Sequence, residues 1–334
     1  MRNTQVLFKA RPEGWVNDSH FEIVESESRA PREGEVLVRN LYLSVDPYMR
    51  GRMRATKSYT PGFELGKPLH GGGVGEIVES QSAKLPVGSY VSGMLGWENY
   101  TTAAAESLSL VDPALAPLSA YLGALGMPSM TAWYGMQEIG RAKAGETVVI
   151  SAASGAVGQI AGQMAKMTGC RVVGTVGSDE KLRYILDELG FDAGINYKTV
   201  DSLGAALDEA CPEGIDVYFE NVGGAMLDAV LARVNPFARI IACGMISQYN
   251  LERPEGIHNL MSIIANRVLM QGFIVSDHFA RMPEFHAEMG DWLKQGKIKY
   301  REDVTQGIEN APAAFIGMLK GKNFGKAVIE IAKP

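Results

Sequence analysis

The chain has 334 residues, 46% hydrophobic and 21% charged, which excludes a disordered or fibrous protein and leaves room for one large domain or two of average size. Its net charge of -6 gives no basic footprint for nucleic acid or an anionic membrane. Its 38 glycines, above the ~7% of average chains, point to many turns or to backbone that closely approaches something else.

Residues 1–20 lack the apolar stretch of a signal peptide, and no apolar run approaches the ~18 residues of a membrane span. The expected location is cytoplasmic. From about 20 to 110, short strands separated by Gly and Pro are expected at VLVRNLYLSVDP (36–47), GGGVGEIVES (71–80), GSYVSGML (88–95) and ENYTTAAA (98–105), the spacing of a small β-rich domain. After Pro113 and Pro117 the pattern changes. ETVVIS (146–151) predicts a buried strand, AVGQIAGQMAKMTG a helix ending at Gly169, and RVVGTV (171–176) the next strand. DEKLRYILDELG then predicts a helix with an acidic first turn and Gly190 just past its end. Further strands are expected at 193–197, 215–220, 238–244 and 268–275, then a long helix over about 278–296 and a last strand in KAVIEIAKP that is able to return to the first domain. Repeated βα units with apolar strands imply a parallel, doubly wound sheet.

Cys170, Cys211 and Cys243 are odd in number and lie in apolar segments, as expected of reduced, buried thiols. His20, His70, His258, His278 and His286 form no HxxxH pair and there is no CxxC, so no metal site is expected.

The strongest local signal is VVISAASGAVGQIAG (148–162). On the dinucleotide pattern GxGxxG its positions are Ala153, Gly155 and Gly158, with alanine in the first place. Gly155 lets backbone approach a pyrophosphate, Gly158 lets helix and strand pack tightly, and the helix N-terminus offers N–H groups and a positive dipole; Ser154, Ala156 and Val157 complete the loop. A tight βα turn with no ligand is the alternative. Strand two ends in Thr175-Val176-Gly177-Ser178, without the carboxylate that usually holds an NAD ribose. Lys181 and Arg183 follow, placed to pair with a 2′-phosphate unless Lys181 is only a solvated charge. Asp179 and Glu180 also suit a helix first turn. NADPH is the expected cofactor.

These residues resemble the medium-chain dehydrogenase/reductase superfamily, and within it the zinc-free group of leukotriene/prostaglandin, curcumin and alkenal/one reductases. The resemblance is carried by LSVDPYMRGRM (43–53), GMPSMTAWYG (126–135), SAASGAVG (151–158), VGSDEK (176–181), INYK (195–198), FENVGG (219–224), CGMISQYN (243–250), QGFIV (271–275) and NFGK (323–326), in order along nearly the whole chain. It implies a GroES-like catalytic domain (1–120, completed by 299–334) and a Rossmann domain (121–298). It also implies that Lys181, Ser178 and Tyr197 hold the 2′-phosphate. Asn221, the loop Cys243, Gly244, Met245, Ile246, Ser247 and Tyr249, the strand end Phe273, Ile274 and Val275, and Asn323 would line the rest of the NADPH. From the residues alone, Asn221 and Asn323 read equally well as turn formers.

The chemistry expected without zinc is hydride delivery to the β-carbon of an α,β-unsaturated ketone or aldehyde, with the enolate protonated at the α-carbon. Tyr249 is the candidate donor, or else only closes the pocket. Tyr48, Tyr59 and Met127 are candidate pocket residues, and Met130, Met136 and Met245 either extend an apolar wall or fill the core. A quinone reductase is the alternative enzyme; a non-catalytic NADPH-binding structural or regulatory protein is the alternative of another class. The resemblance also implies a homodimer joined near VLMQGFIV.

Overall fold

The computed structural model describes residues 1–334, and the chain divides into two units, Met1–Gly123 with Glu302–Pro334, and Ala124–Arg301. In the first unit, β1 (Arg2–Phe8) and β2 (Phe21–Glu27) form an antiparallel pair. The pattern does not predict β1, because RNTQ opens it with four polar residues and the apolar alternation comes only at its end. Next come β3 (Glu35–Ser44), the short helix α1 (Met49–Arg52), β4 (His70–Ser80), β5 (Tyr90–Gly96), β6 (Tyr100–Ala104) and β7 (Ser109–Leu110). β3 stops three residues short of the expected end, before Asp46-Pro47, where the chain turns into α1.

The second unit alternates helix and strand: α2 (Met127–Tyr134), β8 (Thr147–Ile150), α3 (Gly158–Met167), β9 (Arg171–Val176), α4 (Asp179–Arg183), β10 (Ala193–Asn196), α5 (Leu203–Ala210), β11 (Ile215–Glu220), α6 (Gly224–Leu231), β12 (Val234–Ala242), α7 (Met261–Ala265), β13 (Leu269–Gly272) and α8 (Met282–Lys294). α4 continues through a wider π-helical turn, Tyr184–Glu188, with Gly190 left-handed beyond it. The expected helix over 278–296 is shorter. Val275–Arg281 is 3-10, and the α-helix begins only at Met282, where Pro283 sits at a first-turn position that needs no N–H. β14 (Glu302–Gln306), α9 (Ala311–Leu319) and β15 (Lys326–Glu330) return to the first unit. The pattern misses β14, an edge strand of mostly polar residues paired on one side only.

The first unit's sheet runs β14-β15-β3-β4-β5-β7, with β6 also on β3; only β14 and β15 pair in parallel. Its core includes Leu41, Val74 and Val328, and a group in which Trp97 stacks on Phe21 and meets Phe315 edge-on. The second unit holds a six-stranded parallel sheet, β10-β9-β8-β11-β12-β13. Its central strands are apolar on both faces because helices cover both; Val149, Val173 and Ile195 lie in one cluster with Leu227 and Ile240, each such side chain contributing about 1.5–3 kcal/mol by leaving water. The chain runs β8-β9-β10 in one direction and β11-β12-β13 in the other. The strand order therefore reverses between β8 and β11, which opens a crevice at the strands' C-terminal ends where ligands of such sheets bind.

Candidate functional site

The loop from β8 to α3 makes one side of that crevice. Its left-handed residue is Ala152 (φ 50°) and not Ala153, the position aligned with the first glycine of the pattern. The Ala152 carbonyl accepts from Gly155 N at 2.9 Å. A Cβ on Gly158 would stand 2.4 Å from that same carbonyl oxygen, a distance backbone cannot yield, so Gly158 is required by the close packing of α3 on the loop. Ala153 N donates to Thr175 O on β9, and Gln159 N to Gly155 O. Ser154 is buried, Gly155, Ala156 and Val157 are partly exposed, and the backbone of Val157 is already helical. The positive end of the α3 dipole thus lies beside this loop.

At the reversal point itself, side chains that are not sequence candidates, Ser151 and Glu220, tie β8 to β11. Glu220 is fully buried at the end of β11. Its Oε1 accepts from Val222 N (2.5 Å), Gly223 N (2.9 Å), Tyr218 Oη (3.0 Å) and Ser151 Oγ (3.3 Å), while Oε2 has no partner. Burial pushes its carboxyl above the usual range, against the pull of those donors. Asn221 N donates to Ser151 Oγ and Asn221 Nδ2 to Ser151 O, both at 2.8 Å. The Asn221 amide thus joins the ends of the two strands at the reversal point. The detectable signal for Glu220 was a charged residue closing an apolar strand.

Around the ends of β9 and β10 the chain gathers Gly177, Ser178, Lys181, Tyr197 and Lys198. A Cβ on Gly177 would meet Tyr197 Oη at 2.8 Å and Lys198 Cε at 3.3 Å, so both side chains lie over that glycine. Ser178 caps α4 by accepting from Lys181 N (3.3 Å), and Tyr197 is 41% exposed. Lys198 is a cation that the sequence reading passed over, since only cross-strand neighbourhood brings it beside Gly177.

Past β12, Cys243 N and Gly244 N both donate to Glu220 O, Ile246 N to Asn221 O, and Ser247 N to Val222 O. The expected loop therefore rests on the β11 end. Cys170 and Cys211 are buried as expected; Cys243 is partly exposed, because it has already left the strand. Tyr249 folds back over its own loop, where Met245 N donates to its hydroxyl (3.2 Å) and a Cβ on Gly244 would lie 3.1 Å from it. After β13, Phe273 lies against Tyr134 (5.4 Å between centroids), which stacks on His278; Ile274 is partly exposed and Val275 buried. Met127 opens α2 and stays partly exposed. Met130 and Met136 are buried core and do not form a wall.

In the first unit, Tyr48 precedes α1 and hydrogen-bonds Arg52; burial, then Asp46, push its phenol well above the usual range. Arg52 donates to His70 O and to His70 Nε2 (2.5 Å), and lies 4.1 Å over the Phe63 ring. Burial, then Arg52, lower the His70 pKa, which keeps His70 neutral with Nε2 as acceptor. Tyr59 is 61% exposed. Asn323 Nδ2 donates to Gly325 O, holding its turn, and Phe324 N donates to Asp303. No three His, Cys, Asp or Glu side chains gather to hold a metal ion.

Residues 4–111 match the family described as the N-terminal domain of oxidoreductase, and residues 156–292 the one described as zinc-binding dehydrogenase. The second description does not fit this chain's donors: His70 Nε2 accepts from Arg52, and a catalytic zinc generally needs three protein ligands. The chain is 47% identical to a 2-alkenal reductase (NADP(+)-dependent) of Nicotiana tabacum, over 99% of this chain and 98% of that one. It is 44% identical to the NADPH-dependent curcumin reductase of Escherichia coli, over 99% and 97%. The crystal structure of CurA from Vibrio vulnificus in complex with NADPH superposes with a TM-score of 0.94 at 42% identity over all of both chains. The chain therefore belongs to the NADPH-dependent group of the medium-chain dehydrogenase/reductase superfamily that includes the alkenal and curcumin reductases.

Proposed function

We propose that this protein reduces the carbon–carbon double bond of α,β-unsaturated ketones and aldehydes, leaving the carbonyl intact. The observation that carries the reading is full-length likeness to a 2-alkenal reductase and a curcumin reductase, joined to a crevice whose glycine-bearing βα loop suits a dinucleotide. Bound NADPH supplies the hydride, which goes to the substrate's β-carbon while the displaced electron pair moves to the carbonyl oxygen. Ser154, Gly155, Ala156, Val157 and Gly158 take the pyrophosphate, and Gly177, Ser178, Lys181 and Tyr197 the 2′-phosphate. Asn221, the Cys243–Tyr249 loop, Phe273, Ile274, Val275 and Asn323 orient the rest.

Tyr249 donates its O–H as a hydrogen bond to the developing enolate oxygen, and the α-carbon takes its proton from solvent water. Its oxygen accepts Met245 N–H, which holds the ring over its own loop. Tyr48 and Tyr59 of the first unit, and separately Met127 of the second, are substrate contacts in this reading, with Arg52 setting the Tyr48 hydroxyl. The protein acts as a cytoplasmic homodimer. Two features support this reading: no helix is long and apolar enough to cross a membrane, and β13 ends its sheet with Leu269, Met261 and Ile264 exposed nearby.

The test is NADPH oxidation with an alkyl enone, a long-chain enal, a quinone and a saturated aldehyde, with products identified by mass spectrometry. A saturated ketone or aldehyde from the conjugated substrates is expected, and Tyr249→Phe lowers kcat about tenfold, about 1.4 kcal/mol of barrier. Turnover of the quinone alone would replace this reading with quinone reduction. Cofactor binding without any turnover would replace it with a non-catalytic role.

A further inference from the structure

The corner at the ends of β9 and β10 contains one group that ought to oppose a phosphorylated ribose. Asp179 is the first residue of α4, 21 positions beyond Gly158, in the region where enzymes that prefer NADH present an acid to the ribose 2′-hydroxyl. Here its Oδ1 instead accepts from Asn196 Nδ2 at 2.7 Å. Asn196 ends β10, is buried, and lies in register with Val176 at the end of β9. The orientation of its amide is fixed from the other side, because Lys198 N donates to Asn196 Oδ1 (3.2 Å). The neighbouring acid, Glu180, faces Arg301 at 3.9 Å. Over Gly177, meanwhile, stand the Tyr197 hydroxyl and the Lys198 stem.

We infer that Asn196 is a positioning residue for cofactor choice, which holds the Asp179 carboxylate against the end of β10 and leaves the ribose corner to the hydroxyl and cationic groups around Gly177. The inference rests on the NADPH reading above and assigns its selectivity to a specific bond. When that bond is removed, the carboxylate is released to compete with a 2′-phosphate by like-charge repulsion and to accept from a bare 2′-hydroxyl.

The test compares wild type, Asn196→Ala, Asp179→Asn and the double variant by calorimetric affinity for 2′,5′-ADP and 5′-AMP, together with kcat/KM for NADPH and NADH. Asn196→Ala is expected to lower the 2′,5′-ADP/5′-AMP preference and the NADPH/NADH ratio about tenfold, mostly through KM. Asp179→Asn alone is expected to leave both ratios within about twofold, and the double variant to regain the wild-type ratios. A loss that persists in the double variant would show general damage to the corner and overturn the inference, as would an unchanged ratio in Asn196→Ala. If Asn196→Ala does not fold, Asn196→Leu reads the same quantities, since it keeps the volume of the side chain but has no N–H to give Asp179. Wild type that binds 5′-AMP as tightly as 2′,5′-ADP would overturn the NADPH reading itself, a result separate from either failure above.

Discussion

Two stretches of the same sheet edge use their polar residues in opposite ways. Where β8 meets β11, Ser151, Tyr218, Glu220 and Asn221 are engaged with one another and with backbone N–H groups. Where β9 meets β10, Ser178, Lys181 and Tyr197 are partly exposed or exposed, and the glycine beneath them has no side chain to compete. The first arrangement fixes the shape of the crevice, and the second leaves side chains on the surface, where the NADPH reading proposed above would use them. A polar residue near a strand end therefore says little about binding until its partners are known.

The sharpest way to separate the two regions is to remove Glu220. Glu220→Ala leaves the Val222 and Gly223 N–H groups and the Tyr218 hydroxyl without their acceptor, while Ser151 keeps Phe219 O, so urea unfolding should show a loss of about 3 kcal/mol. Gly158→Ala is next: its Cβ meets the Ala152 carbonyl, and a loss of about 2 kcal/mol in unfolding is expected, together with weaker NADPH binding, since the displaced loop carries the α3 terminus. Lys181→Ala should behave in the opposite sense, weakening NADPH binding about tenfold, near 1.4 kcal/mol, while stability stays within about 0.5 kcal/mol. If Lys181→Ala destabilises the fold as Glu220→Ala does, the division between scaffold and ligand corner fails.

The smallest effect is a slope. The Glu220 carboxyl is raised in the fold, so between its ordinary value of 4.5 and its folded value the native state binds more protons than the unfolded chain. Stability contributed by the protonated form is present at the acid end of that window and is lost as pH rises through it. Glu220→Gln should flatten this part of the stability–pH curve; an unchanged slope would assign it to another group.

The strands that the pattern located well are those buried on both faces, such as RVVGTV and IDVYFE, where apolar continuity is itself the signal. β1 and β14 escaped because edge or half-exposed strands show weak alternation and polar composition. Gly155 and Gly158 were legible because the loop that needs them is contiguous in sequence. Asn196 and Asp179, 17 residues apart, were not: their bond exists only through the parallel register of β9 and β10. Arg52 and His70 are likewise 18 apart and meet through tertiary structure. The left-handed residue at Ala152 shows the limit of motif alignment, since the strain falls one position before the aligned alanine.

The pairing of β15 with β3 joins Val328–Glu330 to Tyr42–Ser44, nearly opposite ends of the polypeptide. During synthesis, the first unit begins to emerge early yet lacks an interior strand until Lys326–Glu330 has emerged, whereas Ala124–Arg301 by then has every strand of its own sheet. The later-synthesised unit is therefore free to finish folding first, and the earlier one waits with the flank of β3 open to other strands. That interval is the chain's period of greatest exposure to misassociation. It lengthens with any delay in translating the codons for residues 302–330.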